Sequence, residues 1–256
     1  MATRPSRSML LGALLTVLSA TALADDGLGG QVGVGVGYQP HDPTGSRYDS
    51  VPLPYLDLTW GDVSLSTDDG LTWDAFKANG FSVGPYINYL PGRTANGSLR
   101  GLRDVPNMAE VGGFIEYAPS DFWRVFAALG SAVAGGSGQG GALGKVGGEL
   151  GYPLGRGIMG SSNLTAHFAD RRQNQTFFGV SAEESLASGI GRYQAGGGLQ
   201  NLTLTQNVEF PLGRGWSLET SASWIHLTGS AADSSIVREK GDVDQGQVQA
   251  AIAYKF

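Results

Sequence analysis

The stretch that decides the fold is the last one: Gln245-Gly246-Gln247-Val248-Gln249-Ala250-Ala251-Ile252-Ala253-Tyr254-Lys255-Phe256. Successive side chains of an extended chain point to opposite faces. One face therefore carries Gly246, Val248, Ala250, Ile252, Tyr254 and Phe256, and the other carries Gln245, Gln247, Gln249, Ala251, Ala253 and Lys255. One side suits an apolar surrounding, the other a mainly polar one. The same alternation recurs upstream. Trp216, Leu218, Thr220, Ala222 and Trp224 oppose Ser217, Glu219, Ser221 and Ser223. Val111, Gly113, Ile115 and Tyr117 oppose Glu110, Gly112, Phe114 and Glu116. Trp123, Val125, Ala127 and Leu129 oppose Arg124, Phe126 and Ala128, and Val146, Gly148, Leu150 and Tyr152 oppose Lys145, Gly147 and Glu149.

Composition narrows what such strands can build. Of 256 residues, 41 are glycine and none is cysteine. Glycine is thus about 16%, against a usual share of about 7%. No Gly-X-Y period makes the chain collagen-like. A mean hydropathy of −0.08 excludes a bundle of apolar membrane helices. A hydrophobic content of 41% with nine Tyr, ten Phe and five Trp excludes a disordered chain. Without cysteine there is no disulfide framework and no thiolate metal site, and a formal charge of −6 argues against nucleic acid as a partner.

The first residues read as an address. Arg4 and Arg7 precede the apolar run Met9–Leu18, and Ala22-Leu23-Ala24 offers a small-x-small cleavage site. We expect residues 1–24 to be a cleaved signal peptide and residues 25–256 to form one domain, whose formal charge is −8 once two arginines are removed. A cysteine-free exported chain suits the bacterial envelope.

A soluble sandwich and a membrane barrel both alternate, and the aromatic residues favour the barrel. Trp60, Tyr89, Tyr117, Trp123, Tyr152, Trp216, Trp224 and Tyr254 sit toward the ends of apolar faces, where a ring meets lipid and a polar tip meets headgroups. The opposite faces hold Glu110, Glu116, Arg124, Lys145, Glu149, His167, Glu209, Glu219 and Lys255, a polar lumen network. Strands are expected near 28–38, 51–60, 63–68, 71–76, 81–90, 108–117, 122–133, 142–152, 158–168, 196–210, 216–227 and 245–256. That makes twelve antiparallel up-and-down strands, with short turns at one end and long loops at the other, as outer-membrane barrels have. The hairpin 63–76 is too short to cross, at about 9–11 residues per crossing strand, so ten strands is the alternative. Glycines such as Gly112 and Gly147 fall on the inner face and leave room there for bulky neighbours such as Tyr86 and Phe114.

Motifs for chemistry are sparse. His41, His167 and His226 form no ligand pair at helical spacing. No motif sets a serine or an acid beside His167, so a hydrogen-bonded lumen histidine is expected rather than a hydrolase. Gly136-x-Gly138-x-x-Gly141 matches a dinucleotide fingerprint, but a strand pattern follows it, so 134–141 reads as a loop. Asp42, Asp49, Asp68, Asp69, Asp233, Asp242 and Asp244 lack the EF-hand spacing and read as solvated loop acids. Ser181-x-x-Glu184 is a capping box and predicts one or two helical turns within the longest loop.

Several ordered segments carry a resemblance. They are Pro52–Asp57, Phe81–Pro85, Leu99–Val105, Gln175–Val180, Tyr193–Leu199 and Leu227–Val237. Together they resemble the MipA/OmpV family of outer-membrane proteins over nearly the whole expected mature chain. Tyr254-Lys255-Phe256 looks like the terminal aromatic signal, ending at Phe256, that barrel assembly machinery reads. The resemblance implies an integral protein of the outer membrane, set in lipid and lipopolysaccharide. It also implies a scaffold that holds a lytic transglycosylase near a murein synthase. The short turns expected on the periplasmic side offer little docking surface for such a partner. No enzyme activity and no cofactor are expected. A small-solute porin and a surface adhesin are the alternatives.

Overall fold

A computed structural model describes residues 27–133 and 139–256. The expected leader, 1–24, and part of the glycine-rich loop, 134–138, lie outside the described residues. All described strands join one antiparallel sheet. They are β1 (Leu28–Pro40), β2 (Tyr48–Trp60), β3 (Val63–Ser66), β4 (Gly70–Trp73), β5 (Phe76–Ala78), β6 (Phe81–Leu90) and β7 (Met108–Ser120). There follow β8 (Trp123–Val133), β9 (Ala142–Gly155), β10 (Ile158–Ala169), β11 (Gly198–Gly213), β12 (Trp216–Leu227) and β13 (Asp244–Lys255). Strand β1 pairs with β13 in the register Val34↔Ile252, and β4 pairs with β6 in the register Leu71↔Ile87. The sheet thereby closes on itself. Strands β4 and β5 are two parts of one wall strand. Their registers on β6 differ by one residue, because a bulge at Asp74-Ala75 intervenes. The barrel is therefore twelve-stranded. No helix among the described residues is long and apolar enough to cross a membrane.

The apolar stripes face outward. Val34, Val36, Leu129, Leu164, Leu204 and Val248 are all exposed. Aromatic rings gather at both ends of this surface. At the turn end, Tyr117 lies 4.4 Å from Phe81 and 5.7 Å from Trp123, and Trp216 lies 5.0 Å from Tyr254. At the loop end, Tyr38 stacks on Tyr48 at 5.3 Å, and Trp224 stacks on His226 at 5.5 Å. One polar side chain on the greasy face was not anticipated. Gln206 follows Leu204 outward, and it is satisfied by Ser162 at 2.8 Å, by the Ser161 carbonyl at 2.7 Å and by the Tyr152 hydroxyl.

Inside, small residues set the spacing. A Cβ on Gly147 would stand 2.6 Å from the Phe126 ring, and one on Gly112 would stand 2.7 Å from the Tyr86 ring. The hairpin β3–β4 is shorter than expected, at four residues a strand. Conversely, the first loop shrinks to 41–47, because Tyr48–Ser50 continue the ladder against Tyr38–Pro40.

The turn end is made of tight hairpins. Asn79-Gly80, Arg156-Gly157 and Arg214-Gly215 each place both residues at positive φ, between 52° and 82°, the backbone of a type I′ turn. Asn suits its site, but an arginine in the left-handed region costs about 1–2 kcal/mol. Replacing Arg156 or Arg214 with Asn is expected to raise the unfolding free energy by about 0.5–1 kcal/mol each. Urea unfolding in lipid vesicles checks this, and an unchanged midpoint refutes it.

Candidate functional site: a braced lumen under an apolar cap

The inner faces of β7, β8 and β9 bring together the charges expected there. Arg124 donates to Glu116 at 2.8 Å and to Glu149 at 2.9 Å. Its guanidinium also lies 5.2 Å above the Phe126 ring. Tyr86 donates to Glu110. Lys145 donates to Asp69 at 2.8 Å, and Arg124 stands 3.7 Å from the other oxygen of Asp69. Asp69 was expected to be a solvated loop acid, and this is a correction. The hairpin β3–β4 is too short to leave the barrel, so the turn Thr67–Asp69 bends into the lumen and meets β8 and β9. The signal lay in the sequence: a carboxylate at the tip of a hairpin too short to cross lies at membrane depth, where it needs a cation. Asp42 also departs from expectation. It is buried and accepts from the Thr44 backbone at 2.9 Å and the Thr44 hydroxyl at 2.5 Å.

Other predicted lumen residues stay outside this knot. Glu209 and Glu219 lie directly opposite each other on β11 and β12, a like-charge pair that weakens the ladder locally. Asp57 faces the same side of the lumen from β2. Among the described residues, none of these three carboxylates has a cation within 4.0 Å. Lys255 stands at the turn end and likewise forms no ion pair among the described residues. His167 is placed between Lys145 and Asn201, and no serine among the described residues hydrogen-bonds it. Phe256 follows β13 directly, its N–H donating to the Gly30 carbonyl at 3.1 Å.

The loop end is covered. Helices α1 (Arg171–Phe178), α2 (Ala182–Ser188), α3 (Gly229–Ala232) and α4 (Ser235–Lys240) pack with the loop 91–107. Phe178, Ile190, Ala231 and Ile236 are 0% exposed, and Phe177 and Leu99 are buried with them. Arg93 is buried here too and donates to the carbonyls of Phe177 and Arg103. Burial pulls its guanidinium below the usual value, while the Asp42 charge acts the other way. Arg103 ties the loop to the helices through Glu184 at 3.2 Å and the Gln175 carbonyl at 2.6 Å. The capping box forms as expected: Glu184 N–H donates to Ser181 Oγ at 3.2 Å, and Ser181 N–H donates to Glu184 Oε2 at 2.8 Å. The Glu183 carboxyl is held below the usual carboxylate range by its own backbone N–H and by the Ser181 hydroxyl. A carboxyl lowered in this way stabilises the α2 start at neutral pH, and that support fades as pH falls through the lowered range. Arg103, Arg171 and Arg172 line a cleft on the cap with Asp170 and Gln175.

Arg124 holds three carboxylates, so removing it leaves them facing one another. The Arg124 side chain is 34% exposed and its partners 23–38%, so lumen water screens part of the loss. Arg124→Met is expected to lower the unfolding free energy by about 2 kcal/mol, short of the ~3–5 kcal/mol of a dry pair. Lys255→Met is expected to leave it unchanged. Equal effects of the two variants would remove the brace from the account.

One solved structure shares this fold. The chain is similar to the NanC porin, with a TM-score of 0.52 at 6% identity, covering 88% of this chain and 100% of that one. It also matches the outer membrane channel DcaP of Acinetobacter baumannii, with a TM-score of 0.37 at 11% identity, over 90% and 96% of the two chains. OprG of Pseudomonas aeruginosa matches with a TM-score of 0.30 at 12% identity, again over 90% and 96%. At 6% identity the likeness to the NanC porin is one of fold alone. No curated protein sequence matches the chain. The family described as MltA-interacting protein MipA matches residues 32–256. With nearly its whole length matched and a closed twelve-stranded wall to fit, the chain is an outer-membrane barrel protein and belongs to the MltA-interacting protein MipA family.

Proposed function

We propose that this barrel is a non-catalytic anchor in the outer membrane that holds murein-remodelling enzymes, a lytic transglycosylase and through it a murein synthase, against the inner leaflet. The observation that carries the reading is the cap. Its apolar core covers the loop end with side chains that are fully buried, and the Arg124–Asp69–Lys145 knot crosses the lumen beneath it. A capped and braced cylinder suits a platform better than a pore. The description of the family supports an enzyme of the MltA type as partner. The turn end is built of short hairpins, so a small rim that includes Arg156 and Arg214 is what the partner meets. Lipopolysaccharide phosphates suit the arginines of the cap cleft.

One observation favours a second reading, a narrow solute channel. Asp57, Glu209 and Glu219 leave the turn end of the lumen with unbalanced negative charge, which attracts small cations.

Two measurements separate the readings. In planar bilayers the intact protein is expected to give no steady openings, and replacing Arg171–Arg192 with a short Gly-Ser linker is expected to produce them. Crosslinking in intact envelopes followed by pull-down is expected to retain a lytic transglycosylase. Steady openings from the intact protein, with no such enzyme retained, overturn the anchor in favour of the channel.

A further inference from the structure

The wall of this barrel has a gap. Strand β2 pairs with β1 along its whole length, from Pro40↔Tyr48 to Leu28↔Trp60. It pairs with β3 only from Asp57↔Ser66 to Trp60↔Val63. Thr67 adds one more point of contact, its N–H donating to the Leu56 carbonyl at 2.9 Å and its hydroxyl to the Pro54 carbonyl at 3.1 Å. Above that point no strand among the described residues pairs with this edge of β2, the run Tyr48–Leu53, about 20 Å at ~3.3 Å per residue. On the far side, β4 pairs with β6 at Ile87 and Tyr86, and the Asn88 side chain donates to the Asp68 carbonyl at 3.3 Å, so only Tyr89 and Leu90 have no strand partner there among the described residues. The hairpin that would fill the space bends inward, with Asp69 held by Lys145 and Arg124. At the top, Arg47 closes the frame by donating to Asn96 at 2.8 Å.

This gap lies at lipid depth. The stacked pair Tyr38 and Tyr48 marks the loop-end belt above it, and outward-facing Trp60 ends β2 below it. An open sheet edge in hydrocarbon costs several kcal/mol for each unsatisfied group. Here the edge is prepared for exposure. The Thr67 contacts show that the even-numbered residues of β2 aim their backbone groups at the gap, and two of those residues are Pro52 and Pro54, which have no N–H. Proline on an edge also stops another strand from pairing with it. The gap therefore cannot be closed by zipping β2 to β6. Its remaining carbonyls and the Ser50 N–H then depend on water from the lumen, the one setting in which irregular backbone persists at membrane depth.

We propose that this gap is a lateral portal, through which a single-chain amphiphile passes between the lipid leaflet at the loop end and the lumen. The cap covers the axial route, so the way in at this end is sideways. The lips are apolar: Pro52 and Pro54 on the outer face of β2, Val51 and Leu53 on its inner face, and Tyr89 and Leu90 across the gap. Beyond them the lumen presents Asp57, Glu209 and Glu219 without cation partners, so a neutral or cationic headgroup enters and an anionic one is repelled. The portal goes beyond the anchor reading and stands without it.

The cysteine-free chain allows a direct test. Leu53→Cys, carrying a bimane, is reconstituted in neutral phosphatidylcholine vesicles with doxyl-labelled stearic methyl ester as the quencher. Thr203→Cys, on the inner face of β11 where both edges are paired, is the control. Several-fold stronger quenching at position 53 than at 203 is expected, weaker with the ionised doxyl stearate, and diminished when Asp69→Asn frees the hairpin to return toward the wall. A heat-modifiable gel shift confirms folding, and Val51→Cys replaces Leu53→Cys if that variant misfolds. Equally weak quenching at the two positions in folded protein overturns the portal, and stronger quenching by the anionic probe overturns its charge selection.

Discussion

A peptide group in hydrocarbon must find its hydrogen-bond partner within the protein or lose several kcal/mol. For strands, that condition is met by closing the sheet, and the long strands here comply: β1 reaches β13, and β7 to β13 follow one another in unbroken antiparallel order. The remaining features of the molecule are consequences or exceptions. The outward stripes of Val, Leu and Ile exist because lipid, and no second sheet, lies against them. Gln206 is tolerated on that surface because Ser162, the Ser161 carbonyl and Tyr152 satisfy it at once. The upper edge of β2 is the exception, and the two prolines placed along it make that exception bearable.

The interior obeys different physics. Side chains of the Arg124 knot remain between a quarter and two-fifths exposed, so the lumen is wetted and its ion pairs are screened. They contribute through geometry as much as energy. One arginine gathers acids from β7, β9 and an inward-bent turn, and so braces elements separated in the wall. The opposite side is left acidic, with Glu209 and Glu219 facing each other across a ladder rung. That asymmetry costs stability and gives the cavity an electrostatic direction.

Four of the six segments that carry the family resemblance meet in the cap, and the other two lie in β2 and β6. Leu99 and Leu102 pack with Val180, Ile190 and Ile236, while Val105 packs with Phe177, Phe178 and Leu227. Residues far apart in the chain thus share one small core outside the bilayer, whereas the spanning strands need only alternate. Alternation tolerates wide substitution. A buried core sealed by Arg93 and Arg103 does not, because each guanidinium must keep its particular carbonyls.

Much was legible without coordinates. The barrel, its twelve strands, the in-and-out assignment of Trp216–Leu227 and Gln245–Phe256, and the α2 capping box all follow from local rules, because alternation and helix capping are set by neighbours one to three residues apart. The candidate lumen charges were identifiable for the same reason. Their pairing was not, since which acid meets Arg124 depends on the register of strands that are distant in sequence. The inward turn of Asp69 depends further on a hairpin that stops four residues up the wall. The cap and the gap in β2's partnership belong to the tertiary structure: the first needs three loops to converge, and the second is the absence of a neighbour, which Pro52 and Pro54 make tolerable but do not specify.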